Sequence, residues 1–319
     1  MKNVNVNIIG ALRITTPKSP WPVYEITSPH AMIQLAGYFK FLAPADSMVL
    51  FRGDTKLRSS CRPTAMRNMN SLSALTNFGT KMRSYIDLLM ESPCTCVKTI
   101  PGTLRRPWNC SEIVKKHTSA SGNGLVAGTP RIAVEPILQH YGLDTRWIDV
   151  VDNIWIALWF ACHSYKSTTQ GSSGKFSYAH HMKRSEFQEP GGFAYISLIS
   201  TGSIQRDRVA GLWIGNTTRL IDLRSAAPSV YVRPHAQHGL LITSASWKSP
   251  ADFDLATAHL ATFKVRLGDA LDWLGDGTML RPFVLFPPAT TDEGYRRLLD
   301  FAPSPPTRLG RFAVYGPGN

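Results

Sequence analysis

Two stretches of this chain hold residues whose types and spacing could do chemistry. In "VLFRGDTKLRSSCRPTAMR", residues 49 to 67, an Arg-Gly pair follows an apolar run and basic residues are scattered after it. An arginine at the end of a buried strand is costly unless it is paired. Arg52 therefore meets a carboxylate inside the protein, Asp149 or Asp222, or an anionic ligand at the strand's edge, for which Gly53 leaves room. In "EPILQHYGLDTRWIDVVDNIWIALWFACH", residues 135 to 163, the polar residues His140, Tyr141, Thr145, Arg146 and Asp149 precede an apolar run. Packed against the centre of a fold, each of them needs a partner, and Arg146 with Asp149 suits a structural ion pair.

These residues need elements to position them. Ser28 and Pro29 suit the start of a helix running to Leu42, where Met32, Ile33, Leu35, Ala36 and Phe39 recur at helical spacing. It leads into a strand over "SMVLFRG". Leu75, Phe78, Met82, Ile86 and Leu89 predict a second helix over 71–91. Pro136 suits the start of a third and Gly142 its left-handed end, which sets Gln139, His140 and Tyr141 on the last turn. "TRWIDV" reads as a short strand, and Asp152 or Asn153 as the cap of a helix over 154–164 that is apolar all round and hence buried. Residues 92–130 read as a long basic loop or insertion, and 167–175 and 179–192 as exposed loops. "FAYISLI", "TRLIDL", "GLLIT" and "LATFKVRL" follow as strands, and "TTDEGYRRLLDF" as a capped helix. The fold class expected is α+β: a mainly antiparallel, split sheet flanked by helices. An N-terminal segment of residues 1–27 precedes a single domain over 28–319.

Composition bounds the function. Lys and Arg number 35 against 22 Asp and Glu, a formal net charge of +13, which suits an anionic partner, nucleic acid or acidic protein. No run of five like charges marks a binding tail. The five cysteines are odd in number, and only Cys94 and Cys96 lie close, in a CxC arrangement, so reduced thiols and a cytoplasmic protein are expected. The longest apolar run, "IWIALWFAC", falls far short of the roughly 20 residues a membrane span needs. No GxGxxG, GxxxxGK[ST], HExxH or GxSxG is present, so the phosphate loops, zinc helix and nucleophile elbow of those motifs lack their parts. The His pair in "AHHMK" is read as facing solvent rather than a metal.

"LFRG", "ILQHYGLDTRWIDVVDNIWIALWFACH" and "RPHAQHGLLI" together resemble, in order and spacing, the motifs of the FRG domain family. That family is poorly characterised and is met in bacterial and phage-related settings. A more distant similarity is to ADP-ribosyltransferases: a strand-borne Arg-Gly, a Thr-bearing strand leading into an apolar helix, then a late strand with Gln or Glu. The resemblance implies an ADP-ribosyltransferase-like fold, NAD as substrate, and the role of an intracellular toxin or anti-phage effector with a restraining partner. It casts Arg52 as ligand of the NAD phosphates, Tyr141 or Trp147 as a stacking ring, and Thr145, Arg146 and Asp149 as pocket residues. Gln237 stands at the first position of the late Q/E-x-E motif, and Gly239 stands where the catalytic Glu would be. His140 and Asp149 are then the candidates for that part. A non-catalytic nucleotide- or nucleic-acid-binding module is the alternative, and in either case Gly239 marks a close approach of ligand to backbone.

Overall fold

The computed structural model describes residues 8–91, 124–168, 174–184, 192–275 and 280–315. Its first part runs β1 (Ala11–Ile14), β2 (Val23–Ile26), α1 (Pro29–Leu42), β3 (Val49–Asp54) and α2 (Leu72–Glu91). Then follow α3 (Arg131–His140), β4 (Ile148–Val151), α4 (Ile154–Cys162), β5 (His163–Thr168), β6 (Phe176–Lys183), β7 (Phe193–Ser200), β8 (Ile204–Arg206), β9 (Leu212–Gly215) and β10 (Thr218–Asp222). Two short helices, α5 (Leu223–Ala226) and α6 (Val232–Ala236), lead to β11 (Gly239–Ser244) and β12 (His259–Arg266). The chain then continues through α7 (Leu267–Trp273), α8 (Pro282–Leu285), α9 (Glu293–Phe301) and β13 (Phe312–Tyr315).

Ten strands form one sheet in the order β1-β2-β12-β7-β3-β4-β11-β10-β9-β8, and β13-β6-β5 form a second. Within the large sheet β12 runs parallel to β2, and the other pairings are antiparallel. The architecture is thus α+β with a large mixed sheet flanked by helices. Between β3 and β4 the ladder is a single registered pair, Phe51 with Val151. At this joint the sheet is open, and the carbonyl of Asp149 accepts from Arg52 Nη1 at 3.3 Å. β1 and β2, from the segment placed ahead of the domain, belong to the same sheet.

Alternation along the strands divides the core. Val49 and Phe51 pack with α1 and α4, while Leu50 packs with Ile148, Val150, Leu220 and Ile242 on the other face. A third cluster holds the apolar residues of α2 and α3 with Trp147, Leu241 and Tyr295. Burying a Leu- or Phe-sized side chain contributes about 2 kcal/mol, so each of the three clusters stabilises the fold substantially. Local signals behave as their chemistry dictates: Ser28 accepts from the Ala31 amide at 3.1 Å and Asn153 from the Trp155 amide at 2.9 Å.

Three expectations are corrected. α3 starts at Arg131 with Pro130 as its cap, so Pro136 lies inside the helix, held there because Ala133, Val134, Ile137 and Leu138 are buried. The loops expected over 167–175 and 179–192 contain β6, paired with β5 from His163 opposite Lys183 to Thr168 opposite Tyr178. Arg146 does not pair with Asp149; its Nη2 donates to Glu135 Oε2 at 2.6 Å and its guanidinium lies over Trp247, 4.1 Å from the ring centre. The basic stretch expected over 92–130 lies, up to residue 123, outside the described residues.

Candidate functional site

At the open joint of the sheet lies a cavity of about 540 Å³. It is lined by Arg52 and Gly53 from β3, His140 from the end of α3, Asp149 from β4, and Gln237 and Gly239 at the start of β11, with Thr145 beside them. Segments far apart in the chain therefore converge there: β3, the end of α3 and the loop after it, β4 and the start of β11, joined by residues of α4, β5, β6 and β13 and by Phe286.

One end is cationic. Arg52 and Arg58 each donate from Nε to the same oxygen, Asp54 Oδ1, at 3.3 Å, and the other Asp54 oxygen accepts from the Ser197 hydroxyl at 3.3 Å. Arg67 stands close by: burial first, then the charges of Arg52 and Arg58, lower its pKa. Three guanidiniums thus gather about one carboxylate, and the surplus positive charge can meet an anion's oxygens. Asp144, also in the lining, has its pKa raised by burial against the pull of Arg67. Arg52 resolves the choice left by the sequence in an unforeseen way, because its carboxylate is Asp54, two residues along the same strand, and its side chain remains 22% exposed to the cavity.

The middle is a hydrogen-bonded pair. Gln237 Nε2 donates to the Leu285 carbonyl at 2.8 Å, which turns Oε1 toward His140 Nδ1, 3.0 Å away. An amide oxygen only accepts, so Nδ1 carries the imidazole proton and Nε2 presents a lone pair. Burial holds the His140 pKa below its ordinary value, against Asp149, which raises it. Nε2 has no hydrogen-bond partner among the described residues, and Asp149 Oδ1 lies 3.9 Å from it. The result is a neutral, oriented proton acceptor beside a carboxylate whose side chain is 55% exposed.

The other end is aromatic. Phe286 stacks against both His181, 4.3 Å away, and Tyr315, 4.4 Å away, and Phe160 meets Phe286 edge-on. Burial pushes the His181 pKa down to about 3, so this wall is uncharged at neutral pH. Behind it sits Arg233, wholly buried, with its guanidinium carbon 4.4 Å from the ring centre of Tyr295 and 4.8 Å from that of Tyr315. Its Nη1 donates to the His140 carbonyl at 2.7 Å, which ties the aromatic wall to the imidazole.

Both glycines have reasons other than those expected. A Cβ on Gly53 would stand 1.9 Å from the Ala157 carbonyl oxygen, so this glycine admits α4 against β3 rather than a ligand. A Cβ on Gly239 would stand 2.6 Å from His140 Cε1, so the close approach there is by the imidazole. Tyr141, Arg146 and Trp147, expected as ligand contacts, are packed away from the cavity. Tyr141 is wholly buried and donates to Asp292 Oδ2 at 2.7 Å, Trp147 is buried in the core, and Arg146 is held by Glu135. Thr145 donates to Gln139 Oε1 and accepts from the Trp147 amide, so it braces the turn. Arg58, Arg67, Phe286, Tyr315 and Arg233 were not singled out from the sequence; only the density of basic residues after "FRG" hinted at the first two.

Among the described residues, no group of His, Cys, Asp and Glu could hold a metal ion, and no helix is long and apolar enough to cross a membrane. Residues 47–170 match the family model of the FRG domain, which supports the FRG family for this part of the chain. The match takes in Arg52, Gly53, His140, Thr145 and Asp149, while Gln237 and Gly239 lie beyond it. No curated protein and no solved structure matches the chain.

Proposed function

We propose that the cavity binds NAD and that the protein is a mono-ADP-ribosyltransferase with an anionic acceptor, built on an ADP-ribosyltransferase-like sheet. The observation that carries this reading is the convergence of Arg52, His140, Asp149 and Gln237 on one cavity with a cationic end and an aromatic end. Arg52, Arg58 and Arg67 hold the pyrophosphate, and the rings at the far end take a base. The bond between the ribose anomeric carbon and nicotinamide breaks, and its electron pair leaves with the nicotinamide. The oxocarbenium charge that develops is stabilised by the carboxylate of Asp149. The acceptor's nucleophilic atom then bonds to the anomeric carbon, and its proton passes to His140 Nε2. The part that a glutamate plays in the resembling enzymes thus falls to Asp149 and His140. A role as toxin or defence effector follows from such an activity.

One observation favours a second reading, nucleotide binding without turnover: the space at Gly239, where the resembling enzymes carry their glutamate, is filled by the His140 ring. Nicotinamide release from labelled NAD separates the two. Release by the protein that is lost in folded Arg52→Ala and His140→Ala variants supports the transferase. NAD binding by calorimetry with no release under any condition supports the binding module, and neither release nor binding overturns both.

A further inference from the structure

A second cavity, of about 530 Å³, lies on the other side of Thr55, a residue that lines both. Its cations are Lys18, Lys56, Arg184 and Lys264, and among the described residues no carboxylate lines it. Lys264 is partly answered by Glu25 at 3.3 Å and lies over the Phe193 ring, 3.8 Å from its centre. Arg184 is 3% exposed, and its Nη1 donates to the carbonyls of Ala161 and Phe193 at 3.0 and 2.7 Å. Among the described residues no carboxylate lies within ion-pair distance of Arg184, Lys18 or Lys56. Among the described residues this buried guanidinium is met by carbonyl dipoles alone, which satisfy its N–H groups without balancing its charge, and an anion would do so. Thr16, Thr55 and Tyr195 add polar and aromatic groups to the same walls.

We propose that this cavity is a phosphate-binding site for single-stranded nucleic acid, with Arg184 as the fixed cation and Lys18 and Lys56 as mobile ones. Phosphodiester fits better than an acidic peptide for two reasons. The donors combine flexible ammonium groups with one guanidinium fork in the same cavity, and the Tyr195 ring among them is a group on which a base can stack. The strand's next nucleotide then reaches Thr55 and the mouth of the first cavity. That the strand is the acceptor rests on the transferase reading; that it binds does not.

The test is fluorescence anisotropy of a labelled oligouridylate and oligothymidylate over a range of salt, with the whole chain and a Lys18→Glu, Lys56→Glu double variant. Both lysines are exposed, so the variant is expected to fold, which circular dichroism checks. Binding that weakens at least tenfold in the variant, with the log-log salt slope falling by roughly 0.7 for each lost phosphate contact, is the expected result. Unchanged affinity and slope overturns the proposal. A polyglutamate peptide that competes as well as the unlabelled oligonucleotide assigns the site to carboxylates and also overturns it, as does competition by inorganic phosphate alone at equal phosphate concentration. Nicotinamide release without oligonucleotide is expected to be the same in variant and parent, which keeps failure here distinct from failure of NAD turnover.

Discussion

The two ends of the first cavity are held by opposite means. At the cationic end Arg52 and Arg58 both bond Asp54 Oδ1 at 3.3 Å, a length at which charge-assisted bonds are weak, and Arg67 feels the charges of both Asp54 and Asp144. At the aromatic end Phe286, His181 and Tyr315 stack within 4.3 to 5.7 Å of one another around the buried Arg233. One end holds charge in reserve for a ligand; the other spends its packing on shape. Affinity should therefore live at the arginines and orientation at the rings, and the His140–Gln237 pair between them should set the chemistry.

The comparison can be broken most severely at Gly53. Gly53→Ala forces α4 away from β3, because the nearest atom is backbone, and is expected to cost about 3 kcal/mol or more in urea unfolding. Loss of less than about 1 kcal/mol would mean that the helix gives way easily. Arg52→Ala should leave the fold intact and lower kcat/KM for nicotinamide release about 100-fold, near 2.7 kcal/mol. Arg52→Lys should fail to restore it, since a point charge cannot replace the fork. Gln237→Leu removes the acceptor that fixes the His140 tautomer, and about a tenfold fall in kcat with little change in KM is expected. An equal change in both would make Gln237 a binding residue.

A separate effect is on pH. Burial lowers the folded-state pKa of His181 to about 3 and of His259 to about 4, from an ordinary value of 6.5. The unfolded chain therefore binds more protons below pH 6.5, and stability present above that value is lost as pH falls toward 4. Each histidine contributes up to about 1.4 kcal/mol per pH unit, to be read from unfolding free energies between pH 7 and 5. A flat profile would contradict their burial. Because His140 is also lowered, activity should persist below pH 6.5.

Periodic, capped elements were legible: α1 with Ser28, α4 with Asn153, and the strands β7, β10, β11 and β12 all follow local signals that tertiary structure did not override. β6 was not, because its pattern is inverted. The small residues Ser177 and Ala179 point inward while Tyr178 stays half exposed, so no apolar stripe announces a strand. The convergence of Arg52, His140, Asp149, Gln237 and Gly239 was visible as ordered motifs. Their partners were not: Asp54 was passed over as a neighbour, and Leu285 and Phe286 come from a distant segment that no spacing rule links to His140. Arg146 was misassigned because Asp149 is nearer in sequence, whereas the turn after α3 brings back Glu135.

The parallel pairing within the large sheet, Val23 opposite Thr262 through Ile26 opposite Val265, has a bearing on how this chain is made. Among the described strands β2 neighbours β1 and β12, so the β1–β2 hairpin leaves the ribosome with no sheet to join until more than two hundred further residues have followed it. Closure over that span is slow, and through the wait the hairpin's open edge is exposed to other chains.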